Sequence, residues 1–312
     1  MKFIQFKSYL TGLAAVLGLM ALNATSVYAV SAAEKAKEKV IENRQYIYAL
    51  EIPIKNFGTP EQKNDFNAMK DQYMVGLGYF FEGNYVNSYK ELLETQKKLD
   101  KLYEKVSMDY LERTTKILQE MVKSIVEIDI EYNKESDLVR QYTTDRQAPK
   151  EKVSYDPKNF HLTYDKKVIS RNMAMGFSRL GEAKKIRQEA VTIEEKKYEE
   201  GQVVDPAIYN YRLASYLSVI ELCRDAKKNA FLAYQLINRN DIYTIQTEFR
   251  GNRFAKESNL LPVFDPRIPE TYKVDASDAL NLVHEDELKI KLNQGDKKPA
   301  AKTNTQDQPA TK

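Results

Sequence analysis

The chain predicts an all-α protein, an elongated helical bundle in two lobes, and three observations lead there. Fifty residues from Asn84 to Asn133 pass without a Pro or a Gly. Along them apolar side chains return at alternating steps of four and three, through Tyr89, Leu92, Leu99, Tyr103, Val106, Tyr110, Ile117 and Met121, a heptad-like stripe. Outside this stretch, segments of helical period are punctuated by few breakers: 11 Gly and 10 Pro in 312 residues, with 42% hydrophobic residues to build cores and 30% charged residues to coat them.

Helical throughout, the central stretch would span about 70–75 Å at 1.5 Å per residue, more than a compact domain of this size allows. It is therefore a rod or a helix broken once. Ser107 is the expected break, because the seam shifts after Val106 to include Leu111, Leu118 and Val122. Glu94 with Lys98 and Glu112 with Lys116 place acid before base four residues apart, which suits a solvated opposite face. Gln96, Arg113 and Ser124 interrupt the seam, which favours packing within a bundle over a homodimeric coiled coil.

The N-terminus sets the compartment. Lys2 and Lys7 precede an apolar run from Leu10 to Leu22, and Val27-Tyr28-Ala29 offers small residues where a signal peptidase reads, so residues 1–29 are expected to be a signal peptide cleaved after Ala29. The apolar run is too short to span a bilayer. The mature protein is then exported to the periplasm and free of the membrane. The formal charge of +3 falls to +1 once Lys2 and Lys7 are removed, and this balance gives no electrostatic reason for a nucleic-acid partner. The 21 Tyr, 12 Phe and absence of Trp suit half-buried seams and protein interfaces.

In chain order, an N-terminal lobe over 30–140 begins with a helix from Ser31 to Leu50, closed by Pro53 and Gly58. Thr59-Pro60-Glu61-Gln62 starts the next, with Thr59 as N-cap, Pro60 at the first helical position and Gln62 closing a capping box; it runs to about Glu82. Gly76, Tyr79, Gly83, Ser88 and Leu92 have the spacing of a tetratricopeptide helix-turn-helix, with a weaker echo at Phe177, Leu180, Gly181 and Ala183. Turn signals at Thr143-Thr144-Asp145, Ala148-Pro149 and Asp156-Pro157 mark a linker over 141–167. A second lobe over 168–292 holds a helix from Val168 to Tyr198, with Ile169, Met173, Phe177, Leu180, Ile186, Ala190 and Ile193 inward, and another from Pro206 to Asn238. A Pro-rich apolar strap follows from Arg250 to Val274, expected to lie in a groove of the bundle. A short helix spans Ala276 to Leu292, and 293–312 reads as a disordered tail.

Candidate chemistry is sparse. Cys223 is the sole cysteine, so no internal disulfide forms, and its setting among Leu217, Ile220 and Leu222 reads as a buried small hydrophobe. His161 and His284 stand in no metal-ligand spacing. Asp129, Glu131, Asn133 and Glu135 alternate as a calcium loop opens, but Lys134 stands where the turn needs Gly and Arg140 where a Glu belongs. No phosphate loop or nucleophile elbow is present, and the carboxylates interleave with lysines. No catalytic, cofactor or metal residues are assigned, and the expectation is a protein that is not an enzyme.

In its signal peptide, its length, its Tyr-rich and Trp-free helical body, and stretches such as YFFEGNYVNSYKELLETQKKLDKLYEKV and NYRLASYLSVIELCRDAKKNAFLAYQLI, the chain resembles the flagellar-coiling proteins of spirochaetes. That resemblance implies V-shaped helical arms, assembly in the sheath of the periplasmic flagellar filament, partners among flagellin-like core and other sheath proteins, self-association in a lattice, and a role in filament coiling and motility. It brings no cofactor. A helical adaptor or chaperone of the periplasm, using the hairpin at Gly76 to Leu92 as a binding groove, is the alternative.

Overall fold

The computed structural model describes residues 31–144, 166–197, 206–237 and 260–295. Ala29 and the signal segment, His161, most of the expected linker, residues 250–259 of the strap and most of the C-terminal tail lie outside them. The described residues are all-α, with seven helices and no strand: α1 Ala32–Phe57, α2 Pro60–Phe81, α3 Tyr85–Thr144, α4 Lys166–Lys197, α5 Pro206–Ile237, α6 Lys273–Ala279 and α7 His284–Gly295. Short 3-10 turns at Pro262–Phe264 and Glu270–Tyr272 precede α6.

Two compact units divide the chain, one of Met1–Gln45 with Ala68–Gln96 and the other of Tyr46–Asn67 with Lys97–Lys312. In the first, α2 and α3 form the hairpin expected from Gly76 to Leu92. Gly83 adopts a left-handed φ of 77°, the conformation that glycine takes without a Cβ clash. Its turn is closed by Gly83 N–H donating to the Phe80 carbonyl and Asn84 N–H to the Tyr79 carbonyl, which satisfies two of the orphan acceptors at the end of α2. Across the hairpin Ser88 Oγ donates to the Gly76 carbonyl at 2.8 Å, and a Cβ on Gly76 would lie 2.9 Å from Leu92 Cγ. The close approach needs that glycine. Leu92 is buried with Ala36, Met69 and Tyr73, and Asn43 Nδ2 donates to the Leu92 carbonyl at 2.8 Å, fixing α1 against the hairpin.

In the second unit the capping box at the start of α2 is formed as the sequence predicts: Gln62 N–H donates to Thr59 Oγ1 at 3.2 Å and Thr59 N–H to Gln62 Oε1 at 2.9 Å. Two expected breaks are absent. α1 does not close at Pro53 but runs through it to Phe57. Pro53 forgoes one backbone bond, yet Leu50, Pro53 and Ile54 are all buried, and that burial outweighs the local penalty. The stop comes at Gly58, where a Cβ would stand 2.5 Å from the Ile54 carbonyl oxygen. α3 is likewise continuous through Ser107, whose Oγ folds back onto the Glu104 carbonyl at 2.9 Å. The apparent shift of seam is a widening: Leu102, Leu111, Thr114 and Leu118 are buried together with Leu99, Tyr103, Val106, Tyr110, Ile117 and Met121, because α3 meets neighbours on two sides.

α4 and α5 pack along one another on small residues, with Ala183, Ala190, Ala226, Ala230 and Ala233 buried. The close contact lies at Gly176, where a Cβ would meet Leu118 Cδ2 at 2.9 Å and the Ala226 carbonyl at 3.3 Å. The expected echo is therefore displaced: Gly181 faces open space, and Phe177, expected inward, is 40% exposed. The described part of the strap does bury its apolar side chains, Leu260, Val263, Phe264 and Ile268. The single helix expected over Ala276 to Leu292 is instead two, because Asn281 takes a φ of 59° and Leu282 N–H returns to the Ser277 carbonyl at 2.9 Å; asparagine tolerates that conformation better than most residues.

Gly76→Ala is expected to lower unfolding stability by about 1–3 kcal/mol through overpacking against Leu92. Gly78→Ala, which meets nothing within 4 Å, should raise it by about 0.5–1 kcal/mol through helix propensity. Urea titration followed by circular dichroism measures both.

Candidate functional site: an ionic clasp at the C-terminal segment

Three pairs of residues spaced three apart meet inside the second unit: Tyr110 and Arg113 of α3, Arg224 and Lys227 of α5, and Asp275 and Asp278 of α6. That spacing puts both members of each pair on one helix face. Asp278 accepts from Lys227 Nζ at 2.6 Å, from Tyr110 Oη at 2.5 Å and from Arg224 at 3.3 Å. Asp275 accepts from Arg113 through two nitrogens at 3.1 and 2.7 Å and from Lys227 Nζ at 3.4 Å. Lys227, with no exposed surface, is also sandwiched by rings, its Nζ lying 4.8 Å from the Phe57 centroid and 4.6 Å from that of Tyr110. The helical reach of α1 beyond Pro53 is what delivers Phe57 here.

The electrostatics follow from burial and then from neighbours. Burial by itself would raise the Asp278 pKa, but the charges of Lys227 and Arg224 and the bonds from Lys227 and Tyr110 hold it below its ordinary 3.8. The Tyr110 hydroxyl is pushed well above its usual range by burial and then by the Asp278 charge, so it stays a neutral donor. Arg224 also reaches Glu221 at 3.0 Å, which brings a third carboxylate toward the three cations.

The turn between α6 and α7 is secured beside this cluster. Asn56 donates its amide to the Leu282 carbonyl at 2.9 Å and accepts from His284 N–H at 3.0 Å. Ser277 Oγ contacts His284 Nδ1 at 3.0 Å and is hydrogen-bonded to Glu287. Burial raises Glu287 to about 6, against the lowering by its bond to Ser277, and burial lowers His284. Nearer the strap, Asp265 pairs with Arg267 at 2.8 Å and accepts from Gln235 of α5 at 2.9 Å. Along α3, Arg212 meets Asp100 at 3.2 Å, Glu104 at 3.1 Å and the Tyr216 hydroxyl at 2.8 Å.

Chemically these groups neutralise and orient one another. Ser277, the one hydroxyl among the described residues beside a histidine and a carboxylate, is fully buried and also donates to the Lys273 carbonyl at 2.9 Å. Cys223 is buried in α5 as expected, and burial pushes its thiol up to about 11, far from the thiolate a nucleophile requires. His284 starts α7 and is half-buried beside the clasp. The alternating acids from Asp129 to Glu135 lie on continuous helical backbone and form no loop. Among the described residues no three His, Cys, Asp or Glu side chains gather as a cation would require, and no helix is long and apolar enough to cross a membrane.

With this geometry in view, comparison with known proteins adds one finding. Residues 32–134 match a family model described as surface protein adhesin OmpL37. The match covers α1, α2 and most of α3, about a third of the chain, and stops short of α5 and α6, which supply Lys227, Arg224 and the two aspartates. The match thus takes in the Phe57, Tyr110 and Arg113 side of the clasp and leaves out its Lys227, Arg224, Asp275 and Asp278 side. No curated protein and no solved structure matches the chain.

Lys227→Met is expected to cost about 3–5 kcal/mol by leaving buried carboxylates undercompensated, measurable by urea unfolding at pH 7. Since the folded pKa of Asp278 is depressed, its contribution is full above pH 3.8 and is lost as pH falls through the folded value. Glu287 has the opposite sign: its raised pKa makes the charged form costly in the fold. Glu287→Gln should therefore raise the melting temperature relative to the parent above pH 6, with the gain fading below about pH 4.5.

Proposed function

We propose that the protein is an exported, non-enzymatic structural component of the periplasmic flagellar filament sheath, of the kind represented by leptospiral flagellar-coiling protein A, and that it acts in filament coiling and motility through protein contacts. The observation that carries this reading is the division of labour among side chains. Charged groups are drawn inward to hold helices, while large apolar ones stay on the surface of the α2–α3 hairpin: Phe81 is 78% exposed, Val86 71% and Met74 60%. Phe80, Phe81 and Tyr85 form edge-to-face ring pairs there, at centroid distances of 5.6–6.0 Å. Exposed aromatic surface of this kind marks interaction sites. The whole-chain resemblance to flagellar-coiling proteins supplies the partners: a flagellin-like core, other sheath subunits and further copies of this chain.

A second reading rests on the family match. The hairpin lies within residues 32–134, so the same apolar surface would serve adhesion at the cell exterior. Both readings place the mature chain outside the cytoplasm, in keeping with the expected signal peptide. The hairpin adaptor or chaperone is supported by the Gly76 packing alone.

Purified periplasmic flagella separate these readings. A sheath component is recovered with the core subunits at near-stoichiometric abundance, and Phe81→Glu/Val86→Glu leaves the melting temperature unchanged while removing the protein from filaments. Digestion of the protein by protease added to intact cells, together with its absence from filaments, assigns it to adhesion.

A further inference from the structure

We propose that a trough along α3 in the second unit, flanked by α4 and by the start of α2, receives an acidic amphipathic segment of a partner protein. Two adjoining depressions, of about 550 and 730 Å³, share Met108 and Arg187. Together they follow α3 from Lys101 to Gln119, about 27 Å at 1.5 Å per residue, room for a helix of about five turns. Met108 and Leu111 supply an apolar floor, the contact an amphipathic helix seeks in a groove.

The charges of the lining specify the sign of the occupant. Two of its carboxylates are already ion-paired, Glu61 with Lys105 at 3.1 Å and Glu104 with Arg212 at 3.1 Å, while Asp109 accepts from the neutral Gln62 amide at 2.8 Å and keeps its charge. Lys101, Lys116, Lys184 and Arg187 have no acid partner among the described residues, against two carboxylates of the lining without a cation, Asp109 and Glu112. The trough therefore holds a net positive charge although the chain as a whole is near neutral.

Arg187 also points to a ligand. Its Nε is buried and makes no hydrogen bond, and a buried donor left unmade costs about 1–3 kcal/mol. An incoming carboxylate would satisfy that N–H through a charge-assisted bond. Apolar floor, surplus cations and an unmade arginine donor along one helix length match alternating acidic and apolar side chains. This inference names a partner class for the assembly reading above and rests on it; the assay below tests the trough alone, whereas recovery with filaments tests assembly, so the two fail separately.

The test uses the mature chain and two fluorescein-labelled 18-residue helical peptides, one pairing Leu with Glu and one pairing Leu with Lys, read by fluorescence anisotropy. The acidic peptide should bind at least about tenfold more tightly than the basic one. Arg187→Gln should weaken it about tenfold, the scale of one charge-assisted contact, and raising salt from 50 to 300 mM should weaken it further. Lys116→Glu alters an exposed side chain and reads the same charge if Arg187→Gln perturbs folding; it should weaken binding severalfold. Equal affinity for the two peptides, no binding of the acidic one, or its unchanged affinity in both variants overturns the proposal. Displacement of the acidic peptide by inorganic phosphate at an ionic strength where sodium chloride does not displace it would assign the trough to a small anion and overturn it too.

Discussion

The buried contact of Lys227 with Asp278 is the interaction on which the second unit depends. An ammonium inside a protein is costly unless it is paired and hydrogen-bonded, and Lys227 is paired with two carboxylates and faced by two rings. Each of those groups arrives from a different part of the chain: Phe57 from α1, Tyr110 from α3 and the aspartates from α6. The cation therefore dictates where four helices must end up. Leaving either partner alone would strand a buried charge, so the position of Lys227 and that of the two aspartates are tied to one another.

Seen from this contact, the C-terminal segment is an integral wall of the second unit. Residues 260–295 bury Leu260, Val263, Phe264 and Ile268 in the strap, whereas a short α6 would not persist alone in water. Its two inward carboxylates, the Asn56 clamp at the next turn and the Asp265 contact to Gln235 distribute the attachment over three points. The first unit is built differently. Its hairpin is held by backbone proximity, with Gly76 and Ser88 letting α2 and α3 approach, and its ring-bearing end is left to solvent.

What could be read from the sequence was what is local. The Thr59–Gln62 box, the turn at Gly83 and the approach at Gly76 depend on residues within a few positions, or within one hairpin, and each formed as expected. The misreadings at Pro53 and Ser107 have one cause: a breaker or a polar residue was weighed by its own propensity, while burial against distant helices decided the outcome. Phe177 failed by one residue, because the glycine beside it, Gly176, occupies the crossing with α3 and α5. The clasp was least legible, since Tyr110 and Asp278 are 168 residues apart. A trace of it was present all the same: Lys227 falls in register with Cys223, Ala226 and Ala230, and a lysine within an apolar stripe asks for a carboxylate elsewhere. The Arg187 trough left no such trace, because its lysines and arginine read as an ordinary solvated face.

Cys223 has a practical corollary. The only cysteine of the chain is sealed between helices and kept protonated, so a disulfide between two copies would first require the fold to open. The native fold is in effect redox-silent, and a cysteine introduced at any surface position would carry a spectroscopic label without background from the parent sulfhydryl.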